Sequence, residues 1–322
     1  RDLECSLAKR GFSIHAIFHR KKTKAMNLDK PLLLPLLNKD GAIFMSAQRD
    51  IEDCKVAIFG VPYDGTTSFK PGARFGPSSI REVSHGIETY CPQLDFDLEE
   101  LKYADIGSLE IPMGAPQPVI QCVEQATRAL LEKNIKPLIL GGEHSITPGA
   151  ISAVVHKYPE LIIVQLDAHA DLRNEWLGNK YNHACSMQRC LEILPSQRLF
   201  QVAIRSGTKE EFNEMQKTNR LIKTTKDRNF NDLKNALQPY LGYPLYLTFD
   251  LDWYDPSVMP GTGTPEPGGY TWQDFANIVD ILKNHKLVGA DIVELSPQLD
   301  FSGISSILAA KTTRSLIMLL SK

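Results

Sequence analysis

Cysteine is scarce in this chain: of 322 residues only six are cysteine, at positions 5, 54, 91, 122, 185 and 190, and none forms a C-x-x-C pair. That excludes a thiolate zinc module and a disulfide framework, and fits the reduced thiols of a cytoplasmic protein. Long hydrophobic runs are also missing; none approaches the ~20 residues that span a bilayer. The formal net charge of −2 gives no reason to expect a nucleic-acid or membrane partner. No internal repeat or low-complexity linker splits the chain. Its glycine-rich loop Gly261-Thr262-Gly263-Thr264 is not followed by Gly-Lys-Ser/Thr, so it is not a Walker A phosphate loop.

The apolar and charged fractions, 43% and 23%, are those of a globular protein. The chain opens at Arg1, with a basic cluster Arg20-Lys21-Lys22-Thr23-Lys24 ahead of Met26. Residues 1–30 are expected to form an extension, disordered, vector-derived or targeting in origin. Asp2 and Glu4 weigh against a transit peptide. Residues 31–322 are expected to form one domain.

From residue 55 strand-like and helix-like blocks alternate. Short continuous apolar runs read as strands at 56–60, 137–140, 161–166, 201–204, 245–249 and 288–293. Runs without polar alternation are those buried on both faces of a parallel sheet. Helical spacing appears at about 116–133, 271–284 and 304–320, and Pro77 marks a helix start near Gly76. The expected fold class is α/β, a three-layer α/β/α domain with a central, mainly parallel sheet.

Three of the strands end in side chains that bind metals. His144 closes Gly141-Gly142-Glu143-His144; Asp167-Ala168-His169-Ala170-Asp171 follows the 161–166 run; Asp250-Leu251-Asp252 follows 245–249. Ligands of open α/β sheets lie beyond the carboxyl ends of strands. In an extended segment Asp167, His169 and Asp171 would share one face, with Cα atoms ~6.6 Å apart. An EF-hand starting at Asp167 fails, because Leu172 stands where that loop needs glycine. Four carboxylates and two imidazoles, with no thiolate, suit hard divalent ions; Mn²⁺ fits best, with Ni²⁺ or Zn²⁺ open. Four aspartates offset the charge of two such ions, and a metal pair acidifies shared water.

In this order the motifs resemble the ureohydrolases (arginase, agmatinase and relatives) over roughly residues 54–320. They continue through Asp255-Pro256, Pro260-Gly261-Thr262-Gly263-Thr264-Pro265, Gly268-Gly269 and Val293-Glu294-Leu295-Ser296-Pro297. The resemblance implies an arginase-like fold and hydrolysis of a guanidino group to urea and an amine. It implies that His144, Asp167, Asp171 and Asp250 hold one Mn²⁺, and Asp167, His169, Asp250 and Asp252 the other. Glu294 would orient the planar guanidinium, and His183 would shuttle the proton that the amine needs. Homo-oligomers, trimers or hexamers, are implied as well.

The substrate follows less directly. Where animal and Bacillus-type arginases carry an Asn that helps bind an α-carboxylate, this chain has Arg173; where they carry an Asp for the α-amino group, it has about Thr208. The segments 60–67, 70–77 and 171–185 look like the agmatinase branch, which converts agmatine to putrescine and urea. Plant-type arginase, guanidinobutyrase and free-guanidine hydrolase stay open, because loop differences change a tail pocket without touching the metals. Tyr63, Asp64 and Glu175 are candidates for meeting a distal amine. A deacetylase-like metal amidohydrolase would not need both aspartate motifs, and a catalytically silent binding protein would not need His183 and Glu294.

Overall fold

A computed structural model describes residues 37–39, 41–222 and 228–322; the extension expected over 1–30 lies outside them. In chain order its strands are β1 (Leu37–Asn38), β2 (Val56–Val61), β3 (Tyr90–Cys91), β4 (Phe96–Asp97), β5 (Tyr103–Leu109) and β6 (Lys136–Gly141). They continue with β7 (Ile162–Leu166), β8 (Leu199–Val202), β9 (Leu221–Ile222), β10 (Pro244–Asp250) and β11 (Lys286–Val293). One 9-stranded sheet runs in the order β1-β5-β2-β6-β11-β10-β7-β8-β9. All of its pairings are parallel except that of β1 with β5.

The apolar runs form central strands because both faces are covered. Alternate residues of β2 go to opposite sides: Val56 and Ile58 join one core cluster, Ala57, Phe59 and Val61 the other. β10 divides likewise, with Leu245, Leu247 and Phe249 opposite Tyr246. The first cluster packs against the helices Trp272–Leu282 and Ile304–Ser321, the second against Pro116–Glu132 and Thr147–Lys157. Helix 116–132 shows how its sequence is used: Val119, Val123, Ala126 and Leu130 are buried at three- and four-residue steps, and proline occupies its first turn. Each large aliphatic side chain so buried contributes ~1.5–3 kcal/mol. The expected α/β/α layering is what the chain adopts.

β5 departs from the apolar-run pattern because it carries Asp105 at its centre. That carboxylate is fully buried and takes a two-pronged hydrogen bond from Arg81, Nε to Oδ2 at 2.8 Å and Nη2 to Oδ1 at 2.9 Å. A charged residue in a strand core is stable only with such a partner, and the partner lies in a different element.

Four neighbouring strands, β6, β11, β10 and β7, deliver the chemistry to one edge of the sheet. Asp250 is the last residue of β10, Asp167 follows β7 directly, Glu294 follows β11, and His144 lies three residues beyond β6.

Candidate metal centre

Backbone contacts at the strand ends set the side chains of the centre. Gly142 N donates to Val61 O at 2.8 Å, and Glu143 N to Tyr63 O at 2.7 Å. A Cβ on Gly142 would lie 1.8 Å from Tyr63 O, so only glycine admits this approach. After β7 the chain stays beside residues 205–206, but it leaves the extended form at Asp171, whose φ is 53°. The alternation expected for Asp167, His169 and Asp171 therefore ends before Asp171, which a left-handed turn aims. Its carbonyl accepts Met187 N and Gln188 N, and this holds the turn. Glu294, φ 67°, is also left-handed; such non-glycine conformations cost ~1–3 kcal/mol each and cluster at functional sites.

The Asp250-Leu251-Asp252 turn is pinned by an aromatic cluster, in which Trp253 stacks on Tyr270 at 4.6 Å and meets Phe249 edge-on at 5.7 Å. Arg205 fastens it from outside, donating to Asp252 O at 2.7 Å and Glu266 O at 2.9 Å.

His144 Nδ1 is buried without a well-aligned hydrogen bond, yet it lies 3.1, 3.1 and 3.3 Å from oxygens of Asp167, Asp171 and Asp250. Neighbouring ligands on one ion at ~2.2 Å stand about this far apart. His169 Nδ1 lies 2.8 Å from Asp252 Oδ2 and 3.7 Å from Asp167 Oδ1. Among the described residues two groups bring one ligand atom each within 4.8 Å of one another: His144, Asp167 and Asp250, and Asp167, His169 and Asp252. Asp167 belongs to both. An unpartnered imidazole nitrogen among acidic oxygens is a donor set that fits divalent metal.

Electrostatics says the same. Burial, with the charges of Asp252 and Asp171, pushes Asp167 up to about 7. Burial, then Asp252 and Asp167, raises Asp250 well above the usual carboxylate range. Burial would lift Asp252 too, but the neighbouring His169 imidazolium outweighs it and holds Asp252 low. Burial lowers His169, and Asp252 overrides that and takes it to about 11. His144 is likewise lowered by burial and raised, on balance, by the three aspartate carboxylates that face its Nδ1, Asp167, Asp171 and Asp250. The cluster draws positive charge to itself, which a cation supplies in place of protons.

A cavity of about 220 Å³ opens over these groups, with His169, Asp171, Asp250, Arg173, Trp176 and His183 in its wall. His183 Nε2 lies 3.0 Å from Ser68 Oγ, and its Nδ1 3.9 Å from Glu294 Oε1. Glu294 Oε1 also accepts the His144 backbone N–H at 2.7 Å. Burial, and then the charge of Glu143, raises the Glu294 carboxyl well above its ordinary range; a cationic ligand favours its ionised form. All eight residues singled out in the sequence thus meet at one place. The three distal-amine candidates do not line the cavity: Asp64 is buried and bound to Arg74, the Tyr63 hydroxyl reaches Gly114 O at 3.2 Å, and Glu175 is exposed.

Several supporting contacts are not given by the motif pattern, and Gln165 and Gln201 lie outside it altogether. Glu143, fully buried, accepts Thr66 N at 2.7 Å and Ser145 Oγ at 2.5 Å, while Thr66 Oγ1 accepts His183 N at 3.0 Å. Gln165 Nε2 donates to Asp167 Oδ2 at 2.7 Å, and Gln201 Nε2 to Gln165 Oε1 at 2.7 Å. A glutamine inside an otherwise apolar strand was the available signal.

With this geometry in place, comparison with known proteins is direct. The arginase family profile matches residues 54–319. An agmatinase of Bacillus cereus is 37% identical over 280 residues, covering 86% of this chain and 96% of that protein. A guanidinobutyrase of Pseudomonas aeruginosa is 33% identical, covering 84% and 88%. The crystal structure of the agmatine ureohydrolase of Thermoplasma volcanium superposes with a TM-score of 0.77 at 33% identity, covering 88% of this chain and 94% of that one. The profile, the identities and the shared fold agree over nearly the same residues, and the chain belongs to the arginase family.

Proposed function

We propose that this protein is a binuclear-metal ureohydrolase that cleaves agmatine to putrescine and urea. His144, Asp167, Asp171 and Asp250 would hold one divalent ion, and Asp167, His169, Asp250 and Asp252 a second, with two Mn²⁺ per subunit preferred and Ni²⁺ the alternative. When bound, such ions supply Lewis acidity and acidify water.

The chain's own groups do the rest. Glu294 binds the guanidinium through its carboxylate and fixes the plane in which the carbon is attacked. Water oxygen bonds to that carbon, the bond to the tail nitrogen breaks, and the leaving nitrogen takes up both of the water's protons, one of them by way of His183. His183 holds that proton on Nδ1, the nitrogen facing Glu294, while Ser68 fixes the ring through Nε2. The observation that carries the reading is the approach of His183 to Glu294, 3.9 Å, above the paired ligand groups.

Agmatine is supported by the names of the B. cereus and T. volcanium relatives. Thr208 also argues against an amino-acid substrate, because its side chain accepts Glu211 N and caps the helix Lys209–Lys217. Arg173 favours a second reading. Its guanidinium lies 4.0 Å from the Trp176 ring centre, in the cavity wall, where it suits a carboxylate tail such as that of 4-guanidinobutyrate. Urea release from agmatine, arginine, 4-guanidinobutyrate and guanidine, with Mn²⁺ or Ni²⁺, separates these. Agmatine is expected to be fastest, 4-guanidinobutyrate in first place would reassign the substrate, and no urea from any of them would end the hydrolase proposal.

The proposal extends to one catalytic domain over 31–322, a homo-trimer or hexamer, and a cytoplasmic site of action. Among the described residues no helix is long and apolar enough to cross a membrane. Sedimentation of the purified protein tests the assembly.

A further inference from the structure

Behind His144, on the side away from the cavity, a buried relay of hydroxyls ends on a carboxylate. His144 Nε2 lies 2.8 Å from Thr248 Oγ1, and the Thr248 hydroxyl donates to Asp291 Oδ1 at 2.7 Å. Asp291 Oδ2 accepts two further hydroxyls, Tyr246 at 2.9 Å and Thr147 at 3.0 Å. All five residues are fully buried. Thr248 and Asp291 are register partners across β10 and β11. Strand periodicity puts Tyr246, Thr248 and Asp250 on one face of β10, so the relay and a candidate ligand share that strand.

The number of hydrogens decides what the relay does. A hydroxyl has one, and that of Thr248 is committed to Asp291, so toward His144 its oxygen can only accept. The hydrogen of that contact must sit on Nε2. A neutral imidazole with hydrogen on Nε2 keeps its lone pair on Nδ1, the atom surrounded by Asp167, Asp171 and Asp250. Tyr246 and Thr147 hold Asp291 from its other oxygen, so the acceptor cannot turn away. Among the described residues the His169 group shows no such relay: its Nδ1 faces Asp252 and its Nε2 lies 3.8 Å from Glu266.

We propose that Thr248 and Asp291 are positioning residues that lock His144 in the Nε2–H tautomer and so leave Nδ1 bare for one of the two ions. This rests on the reading of His144 as a metal ligand. Removing the partner of a ligating histidine typically lowers metal affinity ~10–100-fold.

Thr248→Val keeps the shape and removes the hydroxyl, Thr248→Ser keeps the hydroxyl, and Thr248→Ala removes it without crowding the ring. Each metal-free protein is titrated with Mn²⁺, the free ion being counted by electron paramagnetic resonance. Wild type and T248S are expected to bind two equivalents alike. T248V and T248A are expected to bind one equivalent normally and the other ~10–100-fold more weakly. Two unchanged equivalents in T248V and T248A would overturn the relay. So would a T248S as weak as T248V, which would mean packing rather than the hydroxyl, or equal weakening of both equivalents, which would mean general damage. A wild type that binds no Mn²⁺ would instead overturn the metal centre itself, and the relay with it.

Discussion

The backbone N–H of His144 donates to Glu294 Oε1 at 2.7 Å, while the backbone N–H of Glu294 donates to Gly142 O at 2.8 Å. The ends of β6 and β11 are thereby cross-linked twice. A residue that would hold metal and one that would hold the guanidinium share a rigid frame.

Glu294→Gln keeps an oxygen for the His144 N–H but loses the charge that meets a guanidinium. Mn²⁺ content is expected to stay at the wild-type value while kcat/KM for agmatine falls ~10²–10³-fold. Steady-state urea assays beside metal analysis check this, and a variant with wild-type kcat/KM would remove Glu294 from substrate binding.

Gly142→Ala drives a methyl group into Tyr63 O, which a Cβ would approach to 1.8 Å. The strain, ~1–3 kcal/mol for overpacking of this kind, falls on the link between β2 and β6. Thermal denaturation should show a lower midpoint, and Mn²⁺ titration a weaker site, in the same variant. Wild-type values in both would mean the close contact is not needed.

Chelation should destabilise the folded protein. Asp167, Asp171, Asp250 and Asp252 are all buried, and burial, followed by repulsion from neighbouring aspartates, raises Asp167 and Asp250. An ion that binds only the folded chain stabilises it by ~2.7 kcal/mol at a hundred times its Kd. The unfolding midpoint should fall on metal removal and rise again with added Mn²⁺ in a concentration-dependent way. A midpoint indifferent to Mn²⁺ would count against the centre.

Acid stability should depend on Asp300, remote in sequence from the ligand motifs. Burial alone would raise its carboxyl, but hydrogen bonds from Ser302 and Ser305 outweigh this and hold it at about 2. The folded pKa lies below the unfolded value of ~3.9, so the contribution is present above roughly pH 4 and is lost as pH falls toward about 2. Asp300→Asn should lower the unfolding midpoint at neutral pH and converge with wild type in acid. Parallel curves at every pH would show that the carboxylate charge is not what stabilises the turn.

The convergence of the candidate ligands was legible in the sequence. His144, Asp167, His169, Asp250 and Asp252 follow short apolar runs that read as two-sided parallel strands, and such strands end at one edge of a sheet. Asp171 comes within 3.1 Å of His144 for a different reason from the one expected, since its aim comes from a left-handed turn and not from strand alternation. Tyr63, Asp64 and Glu175 were plausible by type alone; Tyr63 and Asp64 are engaged by Gly114 and Arg74, and Glu175 is exposed outside the cavity wall.

What the sequence by itself determined is therefore the layered fold and the family, along with the candidate reacting groups, because these rest on local periodicity and on motifs in a set order. The tertiary structure alone decided how those groups are held. Thr248 and Asp291 are 43 residues apart, Thr66 and Glu143 77, and His144 and Glu294 150. Thr248 and Asp291 are ordinary polar residues until the fold buries them, and burial is what obliges each to find hydrogen-bond partners.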